Sequence, residues 1–342
     1  MKIHKVVFVG AGARGGHWIK VIKKDERYEP IALVDPSKKS LEKALNDNPD
    51  IPLKTFSSVS EAAKNIKADV AIIAAPSTYR LQTCFDVINA KWHLFVEKPL
   101  AFNLRDAVAI VNQAEEAGLA LTVGQSLRFF PHFQKIKNLI DNDNFGEIGH
   151  GVFVRHRRRY AGNTYQKNMR HNYLLEMGIH DLDLIRFHIG LKPEKVFGFS
   201  FLPDWGDFNG ETTVSALWEF QNKVRVNYFG AWASHVPELT WRIDGGKGTV
   251  RYSEGYGKNA ELLAGQPNDG LWKSVLIDEN QFKESSENLL DEFDSAINEG
   301  LPTTTNGREN LWTVAMIQAL VDSTQNSGGP ISISDMMEKH GA

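Results

Sequence analysis

Three clusters of residues in this 342-residue chain have the types and spacing to do chemistry. The first is Gly10-Ala11-Gly12-Ala13-Arg14-Gly15. It closes an apolar run, Val6 to Val9, and opens a helical pattern that leads to a second apolar run ending at Asp35. G-x-G-x-x-G between a strand and a helix is the pattern of a dinucleotide site. There the first glycine permits a tight turn, the second lets the backbone approach a pyrophosphate, and the third lets helix and strand pack closely. The helix start offers unpaired N–H groups and a positive dipole end to phosphate. Asp35 lies 20 residues beyond Gly15, where an acidic side chain accepts hydrogen bonds from a ribose. A glycine-rich turn by itself occurs in other α/β domains, and it is the flanking runs and the spaced acid that make the nucleotide reading specific.

The second cluster is Glu97-Lys98-Pro99, directly after the apolar run His93 to Val96. A lysine there can exchange a proton with a substrate hydroxyl once desolvation and nearby positive charge lower its pKa. Pro99 confines Lys98 to extended conformations, and the bond between them can be cis. Taken alone, Lys-Pro after a strand also reads as an ordinary loop. The third cluster is Glu176-Met-Gly-Ile-His180-Asp-Leu-Asp183. On a regular helix Glu176, His180 and Asp183 share one stripe, polar within an apolar segment. A histidine with a carboxylate one turn to either side can hold or pass a proton. A salt-bridged structural histidine fits the same pattern. A metal pair from Glu176 and His180 has no third ligand at metal-site spacing, so no metal is expected.

The elements that must position these clusters alternate in the first third of the chain. Strand patterns at Val6–Val9, Ile31–Val34, Lys54–Phe56, Asp69–Ala74, His93–Val96 and Leu119–Val123 are separated by helical ones. Asp69–Ala74 has no polar alternation after its first residue, as in strands covered on both faces. The expectation is a doubly wound parallel sheet over residues 1–124, a Rossmann-type α/β domain. Ligands of such sheets bind beyond the carboxyl ends of the strands. Gly10–Gly15, Asp35, Ala75, Pro76, Ser77, Glu97, Lys98 and Gln125 all fall there and are the expected cofactor contacts.

From residue 125 the pattern changes to an α+β domain, expected over 125–342, with a large, mainly antiparallel sheet. Hairpin turns are expected at Phe220–Val224 and Asp244–Thr249, a continuous helix at Leu174–Ile189, and two closing helices at Glu287–Glu299 and Arg308–Gln325. One face of that sheet needs cover. Trp218, Phe220, Tyr228, Phe229 and Trp232 are candidates for a subunit interface, with burial under the domain's own helices as the alternative. Arg155-His-Arg-Arg-Arg159 places Arg155, Arg157 and Arg159 on one strand face. One or two of them can bind polar or anionic substrate groups, or the run is a solvated or intersubunit face. The polar and aromatic loop Tyr160–Asn172 precedes the histidine segment and can close over a substrate.

Composition narrows the classes. Hydrophobic residues make up 42% and charged residues 24%, as in a soluble globular protein. A formal net charge of −3 gives no general attraction to nucleic acid or an anionic membrane. The single cysteine, Cys84, excludes an intrachain disulfide and a multi-cysteine metal site, and sits at a core-type position. No run is long enough to span a membrane and no apolar signal region opens the chain. A reducing cytoplasm is the expected location.

Together the markers Gly10–Gly15, Ala75-Pro76, Glu97-Lys98-Pro99, Gly124…Arg128-Phe129…Pro131 and Gly178-Ile179-His180…Asp183 resemble one family, that of glucose–fructose oxidoreductase, inositol dehydrogenase and MocA. The resemblance covers nearly the whole chain. It implies an enzyme that transfers a hydride between NAD(P) and a hydroxyl or carbonyl carbon of a sugar, polyol or derivative. It also implies a homodimer or homotetramer formed through the second sheet. Lys98, His180 and Glu176 would be catalytic, with Arg128, Arg155, Tyr160 and Asp183 near the substrate. A non-catalytic NAD-sensing regulator and an NAD-dependent glycosidase are relatives of other classes. Glu176 stands where many members carry aspartate, and Arg80 where many carry histidine. Ionised Asp35 favours NAD by repelling a 2′-phosphate, while Lys38 and Lys39 keep NADP possible.

Overall fold

A computed structural model of the chain describes residues 2–162, 165–255, 260–267, 270–277 and 283–342. The chain forms two compact units. One comprises Met1–Ser126 and Ser285–Leu311, the other Leu127–Glu284 and Trp312–Ala342.

In the first unit the strands are β1 (His4–Val9), β2 (Tyr28–Val34), β3 (Lys54–Phe56), β4 (Val70–Ile73), β5 (His93–Val96) and β6 (Leu121–Val123). All pair in parallel, in the order β3-β2-β1-β4-β5-β6. Val6–Phe8, Val70–Ile73 and Leu94–Val96 are fully buried, which is why these segments are uninterrupted apolar runs. The helices are α1 (Ala13–Ile22), α2 (Lys38–Asn46), α3 (Val59–Asn65), α4 (Arg80–Asn89) and α5 (Leu104–Glu116). Ser37, Ser58 and Asn103 cap α2, α3 and α5 by accepting from the N–H groups of Ser40, Glu61 and Asp106. Each such cap is worth about 1 kcal/mol. The strand order reverses between β1 and β4, the place where open α/β sheets bind dinucleotides.

The first unit is not 1–124 alone. After the second unit the chain returns as α8 (Ser285–Glu299) and the start of α9 (Gly307–Gln325). The reason is apolar. Leu289, Leu290 and Phe293 are buried, and Phe293 meets the ring of Phe95 edge-on at 5.6 Å. Polar ties follow: Tyr28 Oη donates to the Leu290 carbonyl, Arg27 pairs with Asp291, and Val123 N–H donates to the Thr305 carbonyl.

The second unit is built on a mixed sheet of nine strands among the described residues. These are β7 (Ile148–Arg158), β8 (Pro193–Phe201), β9 (Thr213–Phe220), β10 (Arg225–Ala231), β11 (Ala233–Gly245), β12 (Thr249–Gly255), β13 (Glu261–Gly265), β14 (Lys273–Ser274) and β15 (Ile331–Ser332). Their order is β14-β13-β12-β11-β7-β10-β9-β8-β15, antiparallel except for β7 with β10. The helices are α6 (Pro131–Ile140), α7 (Ile179–Ile189), the remainder of α9, and α10 (Ile333–Lys339). Both expected hairpins are present. The turn at 221–223 holds Asn222 and Lys223 at φ of 58° and 61°. The outermost strand on the β13 side, β14, is only the two residues Lys273–Ser274.

Alternation assigns the two sheet faces. Phe153, Trp218, Phe220, Tyr228 and Trp241 lie on one face, buried under the unit's own helices. Trp241 Nε1 there donates to His188 of α7. Of the five aromatics proposed from sequence for an interface, only Phe229 lies on the opposite face. Trp232 is buried as well. The opposite face carries Phe199 and Phe201, 49% and 41% exposed, with Val152.

Candidate active site

In the first unit, the glycine loop fits each steric role expected of it. Gly10 has φ of +105°, and a Cβ there would lie 2.7 Å from Ala75 N, in the loop Ala75-Pro76-Ser77 that follows β4. A Cβ on Gly15 would collide with the Gly10 carbonyl oxygen. At Gly12 a Cβ would meet nothing within 4 Å, so the backbone is open to a ligand's approach. Ala13 opens α1 directly, bringing its N-terminus to this loop. Asp35 caps the arrangement, accepting from Ala11 N–H through Oδ2 and from Ser37 N–H through Oδ1, both at 2.8 Å. A cavity of about 480 Å³ lies beside Asp35, lined also by Lys38, Glu42 and Glu61.

The Glu97-Lys98-Pro99 turn is held from both sides. Glu97 is buried, and its Oε1 accepts from Arg14 Nε and Trp18 Nε1, each at 2.6 Å. These bonds tie β5 to α1. Arg80 is buried and donates to the carbonyls of Glu97, Pro99 and Ala75, the latter two at 2.9 Å. The chain's departure from histidine at this position therefore has a structural use: a guanidinium grips the backbone on either side of Lys98. The Lys98–Pro99 bond is cis. Gln125 is 1% exposed, and neither atom of its amide has a protein hydrogen-bond partner. A buried orphan amide of this kind matches a ligand that can donate and accept at once.

In the second unit, the histidine segment departs from a regular helix. Leu174–Gly178 forms a π-helical turn that leads into α7. Glu176 lies on that turn and His180 in the first turn of α7. π-turns recur at functional sites. A Cβ on Gly178 would stand 3.0 Å from Leu174 Cδ1 and 3.3 Å from the Tyr228 hydroxyl, so those side chains would have to give by a few tenths of an ångström.

The carboxylates that follow His180 are committed inside the unit. Asp183 accepts from Arg128 Nε and Nη2 at 2.6 and 2.7 Å, and from Thr313 Oγ1 at 3.0 Å. Arg128 and Asp183 are both buried, so two groups expected at the substrate instead meet each other. Asp181 accepts from Arg155 Nε at 2.7 Å and from the Tyr173 and Tyr228 hydroxyls at 2.8 and 3.0 Å. Burial pushes the Asp181 carboxyl above its ordinary range and both phenols well above theirs, so the tyrosines remain protonated donors. Arg155 thus anchors α7 to β7. Tyr160 is exposed and stacks under the Arg158 guanidinium at 4.9 Å. The loop it opens is pinned by Ala161 N–H on Asp207 and His171 N–H on Glu211; Asn163 and Thr164 lie outside the described residues.

Sequence reading missed Asp181, Tyr173, Tyr228 and Trp18. Two of them carried a signal: a second carboxylate beside the histidine, and a tryptophan on the helix after the glycine loop.

Residues 4–125 match the oxidoreductase family with an NAD-binding Rossmann fold, and residues 133–251 match the C-terminal domain of the same Gfo/Idh/MocA group. The chain belongs to the Gfo/Idh/MocA oxidoreductases. Its N-terminal domain is the NAD-binding Rossmann domain of that family. Inositol 2-dehydrogenase of Rhizobium meliloti is 24% identical over 92% of this chain and 95% of its own length. The 2,7-anhydro-N-acetylneuraminate hydratase of Escherichia coli is 24% identical, over 91% and 82%. An oxidoreductase from Agrobacterium radiobacter, solved with NAD+, L-tartaric acid and magnesium, superposes with a TM-score of 0.85 at 22% identity, over 97% and 99% of the two chains. Among the described residues no helix is long and apolar enough to cross a membrane.

Proposed function

We propose that the chain is an NAD-dependent dehydrogenase that oxidises a CH–OH group of a sugar, polyol or related compound. The observation that carries the proposal is that this member of the family holds Lys98 on a turn gripped by Arg80, and has His180 with a carboxylate, Glu176, at the entry to α7. Bound NAD would supply the hydride acceptor. Gly10–Gly15 and the start of α1 receive its pyrophosphate, Asp35 its ribose, and the Gln125 amide a polar group of its nicotinamide end. Asp35, Glu42 and Glu61 around one lysine disfavour a 2′-phosphate, which argues for NAD over NADP. In this proposal His180 is the acceptor of the hydroxyl proton, Lys98 the polarising cation, and Glu176 orients His180 or relays its proton. Arg128 and Asp183 are positioning residues for α7 in this scheme. The partly apolar open face with Phe199, Phe201 and Phe229 is the proposed contact of a homodimer or homotetramer. A single buried cysteine suits a reducing cytoplasm.

The hydratase relative supports a second reading, a reaction without net redox change. The test is NADH absorbance with a panel of inositols, aldoses and sugar acids. Stoichiometric NADH that disappears in His180→Ala, with NAD binding by calorimetry retained, supports the dehydrogenase. Turnover without NADH accumulation supports the second reading, and unchanged turnover in His180→Ala rejects the assignment of His180.

A further inference from the structure

The second unit holds a cavity of about 450 Å³ at the end of β7, within the range of about 300–1,000 Å³ typical of small-molecule sites. Arg155, Arg157, Arg158 and Arg159 line it, and so does Met177 of the π-turn, the neighbour of Glu176. We infer that this cavity is an anion subsite of the substrate pocket, and that the substrate is a sugar acid or another sugar derivative carrying an anionic group. The inference rests on the dehydrogenase reading only in making that ligand the substrate.

The charges decide the sign of the ligand. Arg155 is neutralised at Nε by Asp181, yet its side chain is only 9% exposed and its Nη2 is buried with no hydrogen-bond partner. Among the described residues, Arg157, Arg158 and Arg159 have no ion-pair partner. Arg159 is held over the Trp232 ring at 4.3 Å, and Arg158 over Tyr160. Stacking fixes a guanidinium plane while leaving its edge N–H groups to a bidentate acceptor. Two carboxylates line the same cavity, and each already accepts from a neighbouring hydroxyl: Glu238 from Thr240 and Glu254 from Tyr252, both at 3.1 Å. Three unpaired arginines against two carboxylates leave the lining net positive. A single carboxylate on the ligand balances it, and an arginine fork fits that group's geometry. The Glu238 and Glu254 oxygens remain as acceptors for sugar hydroxyls.

The test is titration calorimetry on the full chain with NAD, using D-glucuronate, D-galacturonate, D-gluconate, their neutral aldoses, and D-glucose 6-phosphate. At least one sugar acid is expected to bind about tenfold or more tighter than its neutral counterpart. Arg157→Gln and Arg159→Gln are expected to remove that preference, by about 10- to 100-fold, with Tm unchanged. Preference for the phosphate over all acids would assign the anion as a phosphate. Equal affinity for acids and aldoses, no binding by any acid, or variants that bind like the parent would overturn the subsite. So would a change of oligomer mass in Arg157→Gln with binding unaltered. NADH formation, measured in parallel, keeps the two readings apart. Acids that bind through Arg157 without NADH formation leave the subsite and reject the dehydrogenase. NADH from a neutral polyol, indifferent to Arg157→Gln, does the reverse.

Discussion

Replacing Asp183 by asparagine separates two roles for a residue that sequence places near the proton path. Asparagine keeps the shape but cannot accept both Arg128 N–H groups, and its own NH₂ would face a donor. Arg128, a buried cation, would lose its bidentate carboxylate partner, to which its bonds are 2.6 and 2.7 Å. Breaking a buried pair from one side costs about 3–5 kcal/mol. For a unit of this size each kcal/mol moves Tm by about 2–4 °C, so a drop of roughly 6–20 °C is expected. Differential scanning calorimetry reads it directly. Replacing both partners, Arg128→Met with Asp183→Leu, removes the stranded charge and should recover much of the loss, giving a coupling energy of about 0.5–3 kcal/mol in the double-mutant cycle. If Asp183→Asn leaves Tm in place while turnover collapses, the positioning role is refuted and Asp183 belongs in the proton path.

Other outcomes follow from the same geometry. Gly12→Ala should leave the Tm of the ligand-free protein within about 1 kcal/mol of stability, because the added methyl meets no protein atom, yet weaken NAD binding measured by calorimetry; unchanged affinity would contradict the pyrophosphate assignment. Arg80→Gln should lower kcat at near-constant NAD affinity by loosening the backbone around Lys98; a loss confined to NAD affinity would show that Arg80 serves the cofactor instead. Burial pushes His188 down to about 3, against an unfolded value of about 6.5. Between these values the unfolded chain takes up the proton and the fold does not. Stability is therefore complete above about pH 6.5 and falls as pH decreases, by about 1.4 kcal/mol per pH unit. His188→Gln retains a donor for the Phe133 carbonyl and an acceptor for Trp241. It should flatten that slope in urea titrations, and an unchanged slope would exclude His188 as its source.

The parallel sheet is legible in sequence because its central strands β1, β4 and β5 are buried apolar runs, and because glycine, proline or a capping residue punctuates the segments, the largely exposed edge strand β3 included. Thus Lys54–Phe56 and His93–Val96 come out with the observed ends. The glycine loop is legible for the same local reason. The charged pairs are not. Arg128 meets Asp183 across 55 residues, and Arg155 meets Asp181 across 26. A local pattern shows only that both charges exist, so each arginine reads as available for substrate. Arg80 bonds main-chain carbonyls, which carry no sequence signature. The sheet aromatics show a different limit: period-2 alternation groups Trp218, Phe220 and Tyr228 on one face but does not say which face the helices cover. Within the histidine segment, the π-turn inserts a residue that the 3.6-residue periodicity does not reveal.

The return of Ser285–Leu311 to the first unit sets an order of events during synthesis. The six strands leave the ribosome early, but Phe95 lacks its partner Phe293 until nearly the whole second unit has been made. At about 5–20 residues per second that interval is roughly 10–40 s. Through it the nascent nucleotide-binding half displays an apolar seam that only the closing helix can cover. The growing chain is therefore a natural client for a holding chaperone, and a gene truncated before residue 285 should yield an aggregating fragment in place of a free-standing cofactor-binding domain.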